Sequence, residues 1–288
     1  MKKYVKLMRF KHYIKNGLIL LPFLFGGRLF ELSLLRQAAF GFVSFCLLTS
    51  AVYIINDIMD VKTDREHPTK RFRPIASGEV SVRTAAILAG VLVIASAALH
   101  YFTHAVHWYA WIYLLVYLAL NLGYSFGLKN QPIIDIAILV SGFLIRVLYG
   151  AALSGIEISN WMYLTVIAMS FYLGLGKRRN ELIRQPDGAQ RKVLRFYNKE
   201  FLDKNMYLCL ALTIAFYSLW SVDPITTARV QSNGVVWTVP LVILICMSYS
   251  LRIEGNSDGD PVDVLLGDKL LLALVAILCV IWVVLIYL

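Results

Sequence analysis

The chain has 288 residues, 59% of them hydrophobic and 16% charged, with a mean hydropathy of +0.66. A water-soluble globule of this length cannot cover that much apolar material, and disordered chains are poor in it. What remains is a polytopic membrane protein, on which a formal net charge of +10 points to anionic lipid, anionic substrate or topology.

Residues 1–12 alternate bases with Val5, Leu7, Met8 and Phe10, the pattern of a short interfacial helix. Spans of roughly 20 apolar residues are expected near 14–31, 36–57, 82–102, 108–127, 132–154, 159–176, 206–222, 235–251 and 270–288. The first reads as a retained helix, because Gly26–Gly27–Arg28 follows it without a small-x-small cleavage pattern. No alternating runs of barrel-strand type compete, so the fold class is all-α. Residues 1–288 read as one transmembrane domain of nine helices, with longer loops at 58–81, 177–205 and 252–269. With the N-terminus in the cytosol, 24 of the 28 Lys and Arg residues fall on the cytosolic side. Arg28, Arg36 and Arg229 lie opposite, and Arg146 sits inside a span. That bias predicts an N-in/C-out topology with the elaborate loops facing the cytosol, and the expected location is a bacterial-type plasma membrane. Trp108, Trp111, Trp161 and Trp237 fall near the expected outer ends as interface anchors. Cys46, Cys209, Cys246 and Cys279 lie in apolar runs without a CxxC pair and read as buried hydrophobes.

The segment from Asn56 to Asp64 carries Asp57, Asp60 and Asp64. At 100° per residue these carboxylates share one helical face with Asn56 nearby. Their mutual repulsion is relieved by a divalent cation, and hard oxygen donors suit Mg²⁺, with Mn²⁺ as an alternative. A solvated acidic helix end is the plainer reading. Lys70, Arg71 and Arg73 follow in a loop stiffened by Pro68 and Pro74 and turned at Gly78. Carboxylates, metal and fixed bases together suit a diphosphate, although positive-inside topology also explains the bases. His67 reads as a loop histidine rather than a ligand.

NDxxDxxxD followed by HPxKxxRPIASG resembles the first signature of the UbiA superfamily of intramembrane prenyltransferases. The resemblance covers nearly the whole chain and implies a UbiA-type nine-helix bundle. Tyr124 to Asp135 is similar to the family's second signature, which places Lys129 at the cytosolic mouth and Asp135 one turn into the next helix. A second DxxxD is absent, since Leu139 stands four residues after Asp135. HPTKRFRPIASG, GFLIRVLYG and the run Gly176–Lys177–Arg178–Arg179–Asn180–Glu181 resemble the decaprenyl-phosphate phosphoribosyltransferase branch. That resemblance implies a Mg-dependent pentosyltransferase that moves 5-phosphoribose from phosphoribosyl pyrophosphate to a polyprenyl monophosphate. The product would be a precursor of arabinofuranosyl donors for cell-wall synthesis. Under this reading Asp57, Asp60 and Asp64 hold the metal and act in catalysis with Lys70. Asn56, Arg71, Arg73, Tyr124, Lys129, Asp135, Arg146, Lys177, Arg178, Arg179 and Glu181 bind substrate.

Some residues keep two readings. Arg146 follows Asp135 by 11 residues on nearly the same face and is either a pocket residue or a structural pair inside the bundle. Lys177, Arg178 and Arg179 suit topology and the helix dipole as well as phosphate. Residues from Arg184 to Lys204 read as an amphipathic surface segment or a lid. Asp258, Asp260 and Asp263 read as a flexible solvated loop or a second cation site. The expected partners are the two substrates and the membrane, with no nucleic acid, and an oligomer is compatible. The rival functions are an aromatic prenyltransferase of quinone or haem biosynthesis, and a non-catalytic lipid-binding or transport protein. The missing DxxxD opposes the first, and the lack of an internal repeat opposes the second.

Overall fold

Helix follows helix along the chain in the computed structural model, which describes residues 2–28, 30–184, 191–255, 257 and 259–288. No strand occurs among the described residues. The N-terminal part contains α1 (Lys2–Met8), a 3₁₀ stretch (Phe10–Leu20), α2 (Leu21–Phe25), α3 (Leu32–Met59) and α4 (Val61–Glu66). Then come α5 (Val82–Tyr101), α6 (Ala110–Phe126), α7 (Ile134–Ser154) and α8 (Asn160–Arg184). The C-terminal part has α9 (Lys199–Val222), α10 (Pro224–Val230), α11 (Val239–Glu254), α12 (Pro261–Gly267) and α13 (Lys269–Tyr287).

Six stretches among the described residues are long and apolar enough to cross a membrane: Leu32–Met59, Val82–Tyr101, Ile134–Ser154, Lys199–Val222, Gly234–Glu254 and Lys269–Tyr287. Ala110–Phe126 is apolar but shorter, and α8 carries its charges in its last turns. The expected first span, 14–31, is not one continuous helix. It is divided between the 3₁₀ stretch and α2, which ends just before Gly26–Gly27.

Caps explain the boundaries. Ser81 starts α5 by accepting from Thr84 N, and Asp223 caps α10 with Pro224 in its first turn. Gly155 ends α7 in the left-handed conformation that a side chain resists.

The chain divides into two compact units. The first comprises Met1–Phe23, Phe30–Ile138 and Ile145–Ile156, and the second Leu24–Leu29, Leu139–Leu144 and Glu157–Leu288. In the first unit, Leu7, Ala51, Ile54, Ile75, Val80, Ala85, Ala89 and Leu92 form one apolar cluster. This fastens α1 and the 70–80 loop to α3 and α5. Ser44 and Ser96 each donate to the other's backbone carbonyl at 2.8 Å, as small polar residues do where membrane helices approach closely. A Cβ on Gly150 would stand 2.1 Å from Ile19 O, so α7 meets the 3₁₀ backbone there with no room for a side chain. In the second unit, Phe25, Trp220 and Trp282 form an aromatic cluster with centroids 4.8–5.0 Å apart. Tyr287 OH donates to Leu24 O at 3.0 Å.

Candidate active site

Charged loop residues singled out in the sequence form one cluster within the first unit and another within the second. In the first unit, α3 ends at Met59 and the chain re-enters helix at Val61, so Asp57, Asp60 and Asp64 follow one another around a slight break. Asp57 and Asp64 are buried, and Asp60 is half-buried. Arg73 Nη1 donates to Asp57 Oδ1 at 3.1 Å and to Asp64 Oδ2 at 2.7 Å, bridging the two carboxylates. Lys129, in the 3₁₀ turn that follows Gly127, is ion-paired with Asp60 Oδ1. Asn56 Nδ2 donates to Asp60 Oδ2 at 3.2 Å, and Ser125 Oγ donates to Asn56 Oδ1 at 3.3 Å. The end of α6 is thereby tied to the end of α3.

Reading the sequence missed Arg9. Its Nη2 donates to Asp57 Oδ1 at 2.5 Å, and its guanidinium lies over the Tyr53 ring, 4.8 Å from the centroid. Nothing in the spacing predicts a partner 48 residues away, and topology already accounts for a base in that segment. The only local signal is amphipathicity, which buries Leu7 and thereby docks the segment on the core.

The loop after α4 is shaped internally. His67 Nδ1 accepts from the backbone N–H groups of Thr69 and Lys70 at 3.3 Å each, in keeping with a loop role. Lys70 is half-buried, and exposed Arg71 lies over the Phe72 ring. Tyr124 is half-buried near the end of α6. Asp135 is fully buried in the first turn of α7. Just before it, Ile133 holds φ 70°, an outlier for a β-branched residue and a mark of a constrained turn.

Arg146 lies further along α7 in a buried environment. Its Nε donates to Asn16 Oδ1 at 2.7 Å and its Nη2 to Tyr117 OH at 3.2 Å. The guanidinium also lies over the Phe45 and Tyr117 rings. These contacts pin α7 to the 3₁₀ stretch, α3 and α6.

In the second unit the Lys177–Glu181 run is occupied by ion pairs. Lys177 Nζ donates to Asp260 Oδ2 at 3.3 Å. Arg178, 1% exposed, donates to Glu181 Oε2 at 2.6 Å, and Arg191 stands 3.7 Å from the same oxygen. Arg179 Nε donates to Asp203 Oδ1 at 2.5 Å, and Lys199 takes the other Asp203 oxygen at 2.6 Å. Burial pushes the Glu181 carboxyl up, but Arg178, Arg191 and Lys177 outweigh it and hold the group down at about 2. Asn180 Nδ2 donates to Ile253 O at 2.8 Å and Ser257 O at 3.2 Å, fastening the loop after α11. Asp260 caps α12 through Val262 N, and Asp263 lies in its first turn. Asp258 lies outside the described residues, as do 185–190 of the expected surface segment.

The donor chemistry around Asp57 fits a hard divalent cation. Among the described residues, no three His, Cys, Asp or Glu side chains stand together closely enough to hold a metal by themselves. Mg²⁺ commonly needs only one or two carboxylates, completing its shell with water and substrate phosphates. The same carboxylates already attract Arg9, Arg73 and Lys129, which is the electrostatic requirement a metal would also meet.

Comparison with known proteins places this chain in a family. The family model described as UbiA prenyltransferase family matches residues 19–260. The chain is 36% identical over 287 residues to a decaprenyl-phosphate phosphoribosyltransferase of Corynebacterium glutamicum, covering 96% of this chain and 85% of that protein. It is 35% identical over 276 residues to the protein of that name from Mycobacterium tuberculosis, covering 93% and 88%. In fold it is similar to a UbiA homolog from Archaeoglobus fulgidus bound to GPP and Mg²⁺. That match has a TM-score of 0.72 and 20% identity, over 99% of this chain and 98% of that one. The all-helical fold, the apolar helices and the match over most of the chain lead to one conclusion: this is an integral membrane protein that belongs to the UbiA prenyltransferase family.

Proposed function

We propose that the chain transfers 5-phosphoribose from phosphoribosyl pyrophosphate to a polyprenyl monophosphate of decaprenyl type, releasing pyrophosphate. The observation that carries this reading is the interleaving of Asp57, Asp60 and Asp64 with Arg9, Arg73 and Lys129 in one cluster. Such a cluster suits a ligand with several phosphates and an accompanying cation. The relatives named for this activity, at 35–36% identity over 93–96% of the chain, support the choice of donor and acceptor.

In this reaction an acceptor phosphate oxygen attacks C1 of the ribose, the C1–O bond to pyrophosphate breaks, and pyrophosphate departs with the bonding electrons. The acceptor is already anionic, so no strong general base is required. One or two of the carboxylates Asp57, Asp60 and Asp64, with water and substrate phosphate completing the shell, would hold Mg²⁺ or Mn²⁺, which would supply neutralisation of the leaving group when bound. Arg73 and Lys129 would turn from these carboxylates toward phosphate oxygens, with Lys70 and Arg71 supplying further positive charge. Asn56 would orient Asp60, and Tyr124 and Asp135 would line the substrate end of the cluster. Arg146 would hold the helices behind it in register. Lys177, Arg178, Arg179 and Glu181 would supply a second basic region for phosphate, with Glu181 orienting Arg178.

We further propose that residues 1–288 act as one catalytic domain, which the family match over 19–260 supports. A nine-span, N-in/C-out arrangement in a plasma membrane, with the Asp57 cluster facing the cytosol, accords with the distribution of Lys and Arg. The direct test is to incubate the purified protein with Mg²⁺, phosphoribosyl pyrophosphate and decaprenyl phosphate, then weigh the extracted lipid by mass spectrometry. A lipid heavier by one phosphoribosyl group is expected. Its absence, with product formed instead from a prenyl diphosphate and an aromatic acid, would make the chain an aromatic prenyltransferase.

A further inference from the structure

The N-terminal segment is fastened to the site at several points. Leu7 is buried in the α3–α5 core. Ser50 Oγ donates to Met8 O at 2.8 Å, and Tyr13 OH bonds Ser50 Oγ at 2.7 Å. Lys6 Nζ donates to Phe72 O at 2.7 Å and Lys3 Nζ to Glu79 O at 3.1 Å, so the segment also grips the basic loop. Between α1 and the 3₁₀ stretch, Arg9 takes a left-handed backbone conformation (φ 55°, ψ 48°) that a non-glycine residue adopts only when its surroundings impose it. That conformation, with the Tyr53 ring beneath the guanidinium, accompanies the delivery of Arg9 to Asp57 Oδ1. A membrane anchor requires none of this, since anchoring asks only that a base lie at the interface.

Asp57 Oδ1 therefore carries two guanidiniums, and they differ in what else they hold. Arg73 also bonds Asp64 and has a second carboxylate to rest on. Arg9 is directed to Asp57. A divalent cation arriving alone at Asp57 meets two positive groups at the same oxygen and is repelled. A cation arriving with a diphosphate brings the anionic oxygens that a displaced guanidinium can take up.

We propose that Arg9 is a positioning residue that stands in for the metal at Asp57 and passes to a phosphate oxygen when a metal–diphosphate pair binds. The site then takes metal and diphosphate together, each raising the affinity for the other by the same factor. This rests on the proposed function only in requiring that the Asp57 cluster bind a divalent cation and a diphosphate.

The test is equilibrium binding of Mn²⁺, followed by its electron paramagnetic resonance signal, with and without inorganic pyrophosphate and corrected for their complex in solution. Wild-type protein should bind Mn²⁺ alone weakly and roughly 10-fold or more tightly with pyrophosphate, within the usual range of coupling. Arg9→Gln should bind Mn²⁺ alone several-fold more tightly than wild type and lose most of the pyrophosphate effect. Arg9→Lys, which keeps the charge, should restore much of it. Removing a merely structural Arg9 would change Mn²⁺ binding by the same factor with and without pyrophosphate, leaving their coupling intact. Arg9→Asn, whose residue tolerates the left-handed backbone, guards against a folding defect and should behave as Arg9→Gln. Unchanged or weaker Mn²⁺ binding in both neutral variants, beside a coupled wild type, overturns the role of Arg9 and leaves the proposed function standing. A wild type that binds neither probe overturns both.

Discussion

Arg178 donates a 2.6 Å hydrogen bond to Glu181, and this pair encloses a guanidinium that is 1% exposed. Breaking a buried pair by removing one of its charges costs about 3–5 kcal/mol. Glu181→Gln should therefore lower the unfolding temperature of the detergent-solubilised protein markedly at pH 7. The carboxyl sits at about 2 in the folded protein, below its ordinary 4.5. Its contribution is thus fully present above about 4.5 and is lost as pH falls toward 2. Thermal melts of wild type and Glu181→Gln should converge over that interval, and equal melting temperatures at pH 7 would contradict the pairing.

Asp57→Asn and Asp60→Asn should separate in stability while agreeing in activity. Both should reduce metal-dependent turnover by about 100-fold or more, as expected when a charge that positions leaving-group neutralisation is removed. Asp57 is buried beneath Arg9 and Arg73, so its variant should also melt several degrees lower. Asp60 is nearer solvent, with a 24% exposed side chain, and its variant should melt close to wild type. Turnover assays beside thermal melts distinguish these effects, and wild-type rates in both variants would remove the carboxylates from catalysis.

Asn16 is fully buried and accepts from Arg146 Nε. Hydrogen bonds to charged groups contribute about 1.5–3 kcal/mol. Asn16→Ala should destabilise the protein by about 2 kcal/mol and loosen α7 against the 3₁₀ stretch. Urea or thermal unfolding in detergent measures the first effect, and hydrogen exchange along α7 measures the second. An unchanged melt would show that Asn16 contributes little to holding Arg146.

Gly150 and Gly90 form a matched pair. A methyl group at Gly150 meets Ile19 O at 2.1 Å, whereas one at Gly90 meets nothing within 4 Å. Gly150→Ala should cost about 1–3 kcal/mol through overpacking. Gly90→Ala, inside α5, should be neutral or stabilising by up to about 1 kcal/mol. Side-by-side melts check the contrast in sign.

Much of this architecture was legible in the residues. Runs near 36–57, 82–102, 132–154 and 270–288 became α3, α5, α7 and α13 within a few residues, because an unbroken apolar run needs no tertiary context to be helical. The run 14–31 did not, because Gly17, Pro22 and Gly26–Gly27 interrupt it and α7 crowds its backbone at Ile19. Helical spacing put Asp57, Asp60 and Asp64 on one stretch, but it carried no information about which cation each would meet. Arg9, Arg73 and Lys129 lie 48, 16 and 69 residues from their carboxylates. The same holds for Lys177 with Asp260 and Arg179 with Asp203, pairings made by tertiary packing. A basic run read alone suggests phosphate, and only the fold shows the carboxylates beside it.

In the proposed reaction ribose C1 changes partner from pyrophosphate to a lipid phosphate. This exchange is tested most directly by supplying phosphoribosyl pyrophosphate labelled at the 5-phosphate in one reaction and at the β-phosphate in another, each with Mg²⁺ and polyprenyl phosphate. The 5-phosphate label should enter the lipid fraction while the β-phosphate label leaves as pyrophosphate, in equal amounts. Lipid free of both labels, or lipid carrying the β-phosphate label, would contradict it.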